Sequence, residues 1–393
     1  MASQSRGWRF PRVALPLAPG VFDLSVHDGR VTEWRAAAGP AQSLWLPPLV
    51  ERHAHADRAF QANAAMPASL PDAIGLAESM RGISSEDEFY HRAARYFDCA
   101  LMHGATRVRT HTDVDDLVGE RALRGVVAAA RDRADKMDVE IVAFANARTD
   151  PASSAGRAHL TRALALGAGW LGAVPAFCRS PAKAVDALLD LASETGAPVD
   201  LHLDEHGDAD ASLTAWVAHS ARERGLQGRV TISHACALAA LPHAERARIC
   251  EALAESDIAV VVLPATNLFL QGRGEGTPRE RGVTIARELL TAGVRVGWGS
   301  DNVRDAFFPY GNADPLEAAF LAALAAHVDD VAQLLAGISD HASAPRVGEP
   351  ANFVLVPADS WRDALARRPG GRLVFRNGVP VTGDAASADL CKT

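Results

Sequence analysis

Eight short apolar runs, separated by longer helix-like stretches, constrain this chain more than any other feature. They are Leu46–Val50, Thr106–Thr110, Val139–Ala145, Gly169–Pro175, Pro198–Leu203, Arg229–His234, Ile258–Pro264 and Val294–Gly299. Each is bounded by polar, Gly or Pro residues, as strands are. Several are apolar on both faces, which suits parallel strands covered by helices. The segments between them include Ala182–Thr195, Leu213–Arg224 and Leu241–Ser256, all amphipathic. Strand–helix alternation repeated eight times predicts an α/β chain folded as a (β/α)8 TIM barrel. A doubly wound open sheet is the competing fold, and the placement of the polar residues favours the barrel.

The flanks read differently. Val21–Val26 and Arg30–Trp34 surround a turn at Asp28-Gly29, while Arg372–Phe375 and Val379–Val381 surround one at Asn377-Gly378. Asp-Gly and Asn-Gly between short β-prone runs signal hairpins. With Ala351–Val356, these runs predict that residues 1–47 and 346–393 come together as a small β-structure beside a barrel of residues 48–345. Ala385–Thr393 reads as a loose tail. The Gly, Ser and Pro content of Ala62–Ser85 marks it as a lid.

A length of 393 residues accommodates one barrel and an accessory piece. With 48% hydrophobic and 22% charged residues the chain is an ordinary globular one. No apolar run approaches the ~20 residues a membrane helix needs. The net charge of −8 argues against nucleic-acid or anionic-membrane partners. Five scattered cysteines form neither a disulfide frame nor a thiolate zinc motif. The first 22 residues lack a continuous signal-peptide core, so a cytoplasmic location is the expectation.

The chemistry lies at the C-terminal ends of the runs, which a barrel gathers on one face. The first ends in His53-Ala54-His55, then Asp57 and Arg58; the second in His111 and Asp113; the third in Asn146. The fifth ends in His202, with Glu205 three residues on; the sixth in His234; the eighth in Asp301-Asn302. In an extended segment His53 and His55 point to the same side. Together with His202 and Asp301 they make a three-His, one-Asp set that suits one zinc or ferrous ion and leaves a position open for water. Such an ion can lower the pKa of bound water from ~16 to about 7. Glu205 and His234 are then the acid/base candidates, and Asp301 both ligates and orients the water. His111 either hydrogen-bonds within the barrel mouth or faces the substrate. Asp57 and Arg58 either pair with each other or meet the substrate.

These residues resemble the amidohydrolase superfamily, and within it the cytosine deaminase-like branch. The matching stretches are Pro47–Asp57, Val108–Asp113, Val199–Glu205, Val230–His234, Asn267–Arg273, Gly299–Val303 and Phe308–Gly311. The resemblance implies a distorted barrel with a β-sandwich built from both termini. It implies His53, His55, His202 and Asp301 as ligands, Glu205 as proton shuttle and His234 as the group that activates water. Binuclear members use a modified lysine, and no lysine here lies at a strand end, so a single divalent ion is expected. Oligomers are common in the family, so a homo-oligomer is expected by analogy.

Two positions depart from the cytosine deaminases. Asn146 stands in place of a glutamine that reads the pyrimidine, and Asn302 replaces a second aspartate. With Arg58 after the first motif, the pattern is more similar to N-isopropylammelide-type hydrolases. The expected activity is metal-dependent hydrolysis of a C–N bond in a cyclic amidine or N-substituted amino-heterocycle. Asn146, His111, Asn302, Arg58 and Asp57 are the expected substrate contacts. The alternatives are ring opening of a cyclic amide at the same site, and a barrel that only binds a small molecule.

Overall fold

The computed structural model describes residues 7–61, 66–273, 281–341 and 344–382. Eight strands pair in chain order, every pair parallel: β5 (Leu49–Ala54), β6 (Ala105–Asp113), β7 (Asp138–Ala145), β8 (Trp170–Ala173), β9 (Val199–Leu203), β10 (Val230–His234), β11 (Ala259–Val262) and β12 (Val296–Trp298). Between and after them run α1 (Leu70–Gly82), α2 (Glu86–Met102), α3 (Arg121–Arg131), α4 (Ser154–Leu166), α5 (Pro181–Thr195), α6 (Thr214–Glu223), α7 (His243–Glu255), α8 (Pro264–Leu270), α9 (Ala286–Thr291), α10 (Pro315–Ala325) and α11 (Val331–Gly337). Helix residues such as Val126, Leu189, Val217 and Leu253 share one buried cluster with strand residues such as Val108, Leu171, Leu201 and Ile232.

The two end strands meet through a single bridge, Ala54 to Asp301. There the Asp301 amide donates to the His53 carbonyl at 2.9 Å. The buried Glu51 carboxylate seals the seam from below, accepting from the amides of His53 (3.1 Å) and Ser300 (3.0 Å) and from the Ser300 hydroxyl (2.7 Å). Burial lifts Glu51 to about 7 against those hydrogen bonds. Gly299 sits where a Cβ would come within 2.8 Å of Leu263 and 3.1 Å of the His53 Cβ. Glycine is therefore required for the seam to draw this tight.

The first apolar run does not form one strand. Leu46 ends β4 (Ser43–Leu46) of a second sheet, and Leu49 begins β5. Pro47-Pro48 separates them, because proline has no N–H to extend a ladder.

The second sheet has the order β15-β14-β13-β4-β1-β2-β3, built from β1 (Gly7–Ala14), β2 (Val21–His27), β3 (Arg30–Ala36), β13 (Phe353–Val356), β14 (Leu373–Arg376) and β15 (Val379–Pro380). It is antiparallel except for the β1/β4 pair. The sheet curls so that Phe10 of β1 meets Phe353 at 5.7 Å and Phe375 at 5.3 Å, two and three strands away. Arg30 bridges to Pro350, returning the β3 edge toward β13. α12 (Trp361–Arg367) connects β13 to β14. The tail Ala385–Thr393 lies outside the described residues.

A buried ion pair joins this sheet to the barrel. Arg372, next to β14, donates two hydrogen bonds to Asp314 (2.7 and 2.6 Å) and one to the His103 carbonyl (2.6 Å). Both side chains are 2% exposed or less, and Asp314 also caps α10 through the Leu316 amide. Arg372→Met therefore leaves a buried carboxylate without its counter-charge. The expected cost is about 3–5 kcal/mol, read as a lowered midpoint in urea unfolding.

Candidate active site

The C-terminal ends of the barrel strands surround a cleft of about 550 Å³, counting its solvent-open mouth. At its floor three imidazoles converge. His202 Nε2 lies 3.2 Å from His53 Nε2 and 3.1 Å from His55 Nε2. Asp301 Oδ1 lies 3.4 Å from His55 Nε2 and 3.7 Å from His53 Nε2. Burial, and then the neighbouring His111 (for His53 and His202) and Arg58 (for His55), pushes all three imidazoles well below their usual pKa, so they are neutral. Ligands at about 2.0–2.1 Å from a tetrahedral ion stand roughly 3.3 Å from one another. The observed separations fit that spacing.

The tautomer of His53 is set from behind. The Ser233 hydroxyl donates to Asp200 Oδ1 at 2.8 Å, so its free lone pair accepts from His53 Nδ1, also at 2.8 Å. That puts the proton on Nδ1 and leaves the Nε2 lone pair facing the cluster. Asp200 is held in turn by Arg109 Nη1 at 2.9 Å. Burial raises the Asp200 pKa, and the neighbouring His111 and Arg109 outweigh it, so the carboxylate stays ionised.

Glu205 and His234 flank the cluster. His234 Nδ1 is 3.6 Å from Glu205 Oε1, and Asn267 at the start of the β11–β12 connection reaches both (Nδ2 to Glu205 3.3 Å; Oδ1 to His234 Nδ1 3.3 Å). His234 Nε2 has no partner among the described residues. Burial raises Glu205 to about 8, Asp301 adding to the shift and Arg58 opposing it. Just before Glu205, Asp204 accepts from Ser212 (2.6 Å) and from the Thr214 hydroxyl (2.7 Å), which folds the loop after β9. His234 and Asp301 both have positive φ, +74° and +61°. A non-glycine residue in that region carries strain, which concentrates at functional sites.

The other expected contacts divide. Arg58 and Asn302 line the cleft, and so does Asn146. The Asn146 amide is already engaged, donating to Asp113 (2.9 Å) and Asp115 (2.8 Å) and accepting from the Arg148 amide (2.9 Å). His111 and Asp57 are buried and are not among the residues that line the cleft. His111 is fully buried, stacked 4.0 Å from His53 and 3.5 Å from Asp200, because β6 turns it into the barrel interior below the cluster. Asp57 is 1% exposed and accepts from the Asp113 amide at 3.3 Å. No ion pair joins Asp57 to Arg58; among the described residues Arg58 has the carboxylates of Asp113 and Asp305 at 3.9 Å each.

Residues 62–65 of the expected lid lie outside the described residues; the rest of it is largely α1. Ile74, Ala77, Glu78 and Arg81 of that helix line the cleft. Arg81 pins it there, with Nη1 2.6 Å from Asp115 and 3.4 Å from Asp113. Sequence reasoning missed Arg81, Asp115, Asn267, Ser233 and Asp200. Asn267 and Ser233 lay within matching stretches, and the alternation of Asp200 with His202 was a usable signal; nothing local marked Arg81 or Asp115.

The amidohydrolase family model matches residues 103–382. A pterin deaminase of Rhizobium rhizogenes is 30% identical over 91% of this chain and 87% of its own length. Among solved structures, 5-methylcytosine deaminase of Klebsiella pneumoniae superposes with a TM-score of 0.85 at 27% identity, covering 96% of this chain and 97% of that one. N-isopropylammelide isopropylaminohydrolase of Burkholderia multivorans gives 0.79 at 28%, covering 95% and 98%. The chain belongs to the amidohydrolase family. It is a metal-dependent hydrolase acting on carbon–nitrogen bonds. Among the described residues no helix is long and apolar enough to cross a membrane.

Asn267 holds Glu205 and His234 in one geometry. Asn267→Ala is expected to lower kcat about tenfold, the loss of one or two hydrogen bonds of ordinary strength. Far-ultraviolet circular dichroism should be unchanged beside that steady-state measurement.

Proposed function

We propose that this enzyme removes an exocyclic amine from an amino-substituted nitrogen heterocycle, using one zinc or ferrous ion held by His53, His55, His202 and Asp301. The observation that carries the reading is three neutral imidazole nitrogens and a carboxylate turned toward one point, with an acid near neutrality beside them. The names of the relatives support the substrate class, since all three act on amino-substituted rings. When bound, the ion supplies Lewis acidity and makes water nucleophilic at neutral pH.

The protein's own groups do the rest. Phe144, whose ring lies 4.3 Å from that of His202, makes an apolar wall for a flat ring. Glu205 protonates the ring nitrogen next to the amine-bearing carbon, and then carries a proton to the departing amine. A pKa near the working pH suits a group that must both give and take. His234, oriented through Asn267, presents Nε2 to the attacking oxygen and steadies the charge that develops there.

Ammonia or alkylamine release from a panel of aminopteridines, aminopyrimidines and aminotriazines tests the reading. Glu205→Gln is expected to retain about one equivalent of metal by elemental analysis while kcat falls about 100- to 10,000-fold. Loss of the metal from that variant, or a ring-opened carboxylate formed without any amine, would overturn it.

A further inference from the structure

We propose that Arg109, at the N-terminal end of the barrel, is a positioning residue for the candidate metal centre: acting through Asp200 and Ser233, it fixes which nitrogen of His53 carries the proton and so sets how tightly the chain holds its ion. The inference rests on His53 being a ligand, as proposed above. It adds that the affinity is governed from the end of the barrel opposite the cleft.

Residues at that end of a barrel ordinarily serve stability, and two of the contacts of Arg109 are of that kind. Nε donates to Glu140, its register partner on β7, at 2.8 Å. The guanidinium carbon lies 3.5 Å from the centroid of the Trp170 ring. Arg109 stands two residues before His111 on β6, about 7 Å further from the cleft along the strand. With Trp170 and Thr231 it lines a second cavity of about 1240 Å³, counting its open mouth, which shares no lining residue with the cleft. What sets Arg109 apart is a further partner. Its Nη1 donates to Asp200 Oδ2 at 2.9 Å, and the other oxygen of that carboxylate takes the Ser233 hydroxyl at 2.8 Å.

The direction of the chain follows from counting hydrogens. A serine hydroxyl has one hydrogen to give, and a guanidinium only donates. Arg109 occupies Oδ2 and turns Oδ1 toward Ser233. The single Ser233 hydrogen therefore goes to Asp200, and a hydroxyl lone pair is left for the N–H of His53 Nδ1 at 2.8 Å. Without the guanidinium the carboxylate is free to turn toward His111, whose Nε2 is 3.5 Å from Oδ1. The Ser233 hydrogen is then released to His53 Nδ1, which favours the tautomer protonated on Nε2. That nitrogen faces His202 Nε2 at 3.2 Å in the cluster, and while it carries a proton it has no lone pair for an ion. Asp200 and Ser233 are fully buried, so solvent does not replace a lost partner. His202 gives the contrast, since its Nδ1 has no partner among the described residues.

The test measures the zinc affinity of the metal-depleted full chain by competition with a chromophoric chelator. It compares the wild type, Ser233→Ala, Arg109→Met, Arg109→Lys and the double variant Arg109→Met/Ser233→Ala. Ser233→Ala and Arg109→Met are each expected to weaken binding about 10- to 100-fold, with Arg109→Lys in between. Because both residues act along one chain, the double variant is expected to bind no more than about threefold more weakly than Ser233→Ala. Nitrogen-15 spectra of histidine-labelled, metal-free protein report the tautomer, the His53 signal being the one lost in His53→Gln. Nδ1 is expected to carry the proton in the wild type and Nε2 in Arg109→Met. Wild-type affinity in both single variants, losses that multiply in the double variant, or an unchanged tautomer in Arg109→Met would overturn this inference and leave the metal centre standing. Should Arg109→Met not fold, Arg109→Lys replaces it in the cycle and in the spectra. If His53→Gln binds zinc as tightly as the wild type, His53 is not a ligand, and the proposed metal centre falls together with this inference.

Discussion

A hydrogen bond from the Asp301 amide to the His53 carbonyl closes the barrel, and the site depends on it. The strands on either side are the first and last of the eight, separated by some 250 residues of chain. The same contact that ends the open edge of the sheet sets a carboxylate beside two imidazoles. Glu51 supports it from one side by binding the amides of both segments, and the missing side chain of Gly299 lets them approach. Closure and assembly of the candidate metal centre are one event, so weakening the seam would disturb both.

The barrel interior below the cluster is polar, which is unusual for a packed barrel core. Arg109, Asp200, Ser233 and His53 form a hydrogen-bonded chain that runs from the bottom of the barrel to the cluster. Such a chain is tolerated in a low-dielectric core because each member has a partner. Its consequence is chemical: it holds the His53 imidazole, which burial keeps neutral, in one tautomer and in one orientation. The strained backbones of His234 and Asp301 belong to the same economy of placement, since each aims a side chain that regular strand geometry would turn away.

Much of the architecture was legible in the chain itself. Seven of the eight apolar runs coincide with barrel strands to within two residues at most ends, because fully buried parallel strands must be apolar on both faces. The first run failed because two prolines divide it between sheets. The groups at the strand ends were legible by type and order, and His53, His55, His202 and Asp301 meet as that order suggested. The burial of His111 and Asp57 was not legible, because periodicity tells which side of a strand a residue faces, not how deep it lies. Asn146 lines the cleft, but its identity could not reveal that Asp113 and Asp115 already occupy its amide.

The order of residues by itself determined the eightfold alternation, the terminal hairpins and the chemical kinds of side chain at each strand end. Those are local properties, dictated by burial on two faces and by turn chemistry. Only the tertiary structure decided depth, partnership and vacancy: that His111 lies under the cluster, that Arg81 is satisfied by Asp115, and that Arg58 is left with donors facing the cleft. Each of these depends on distances between segments far apart in the chain, which no local pattern encodes.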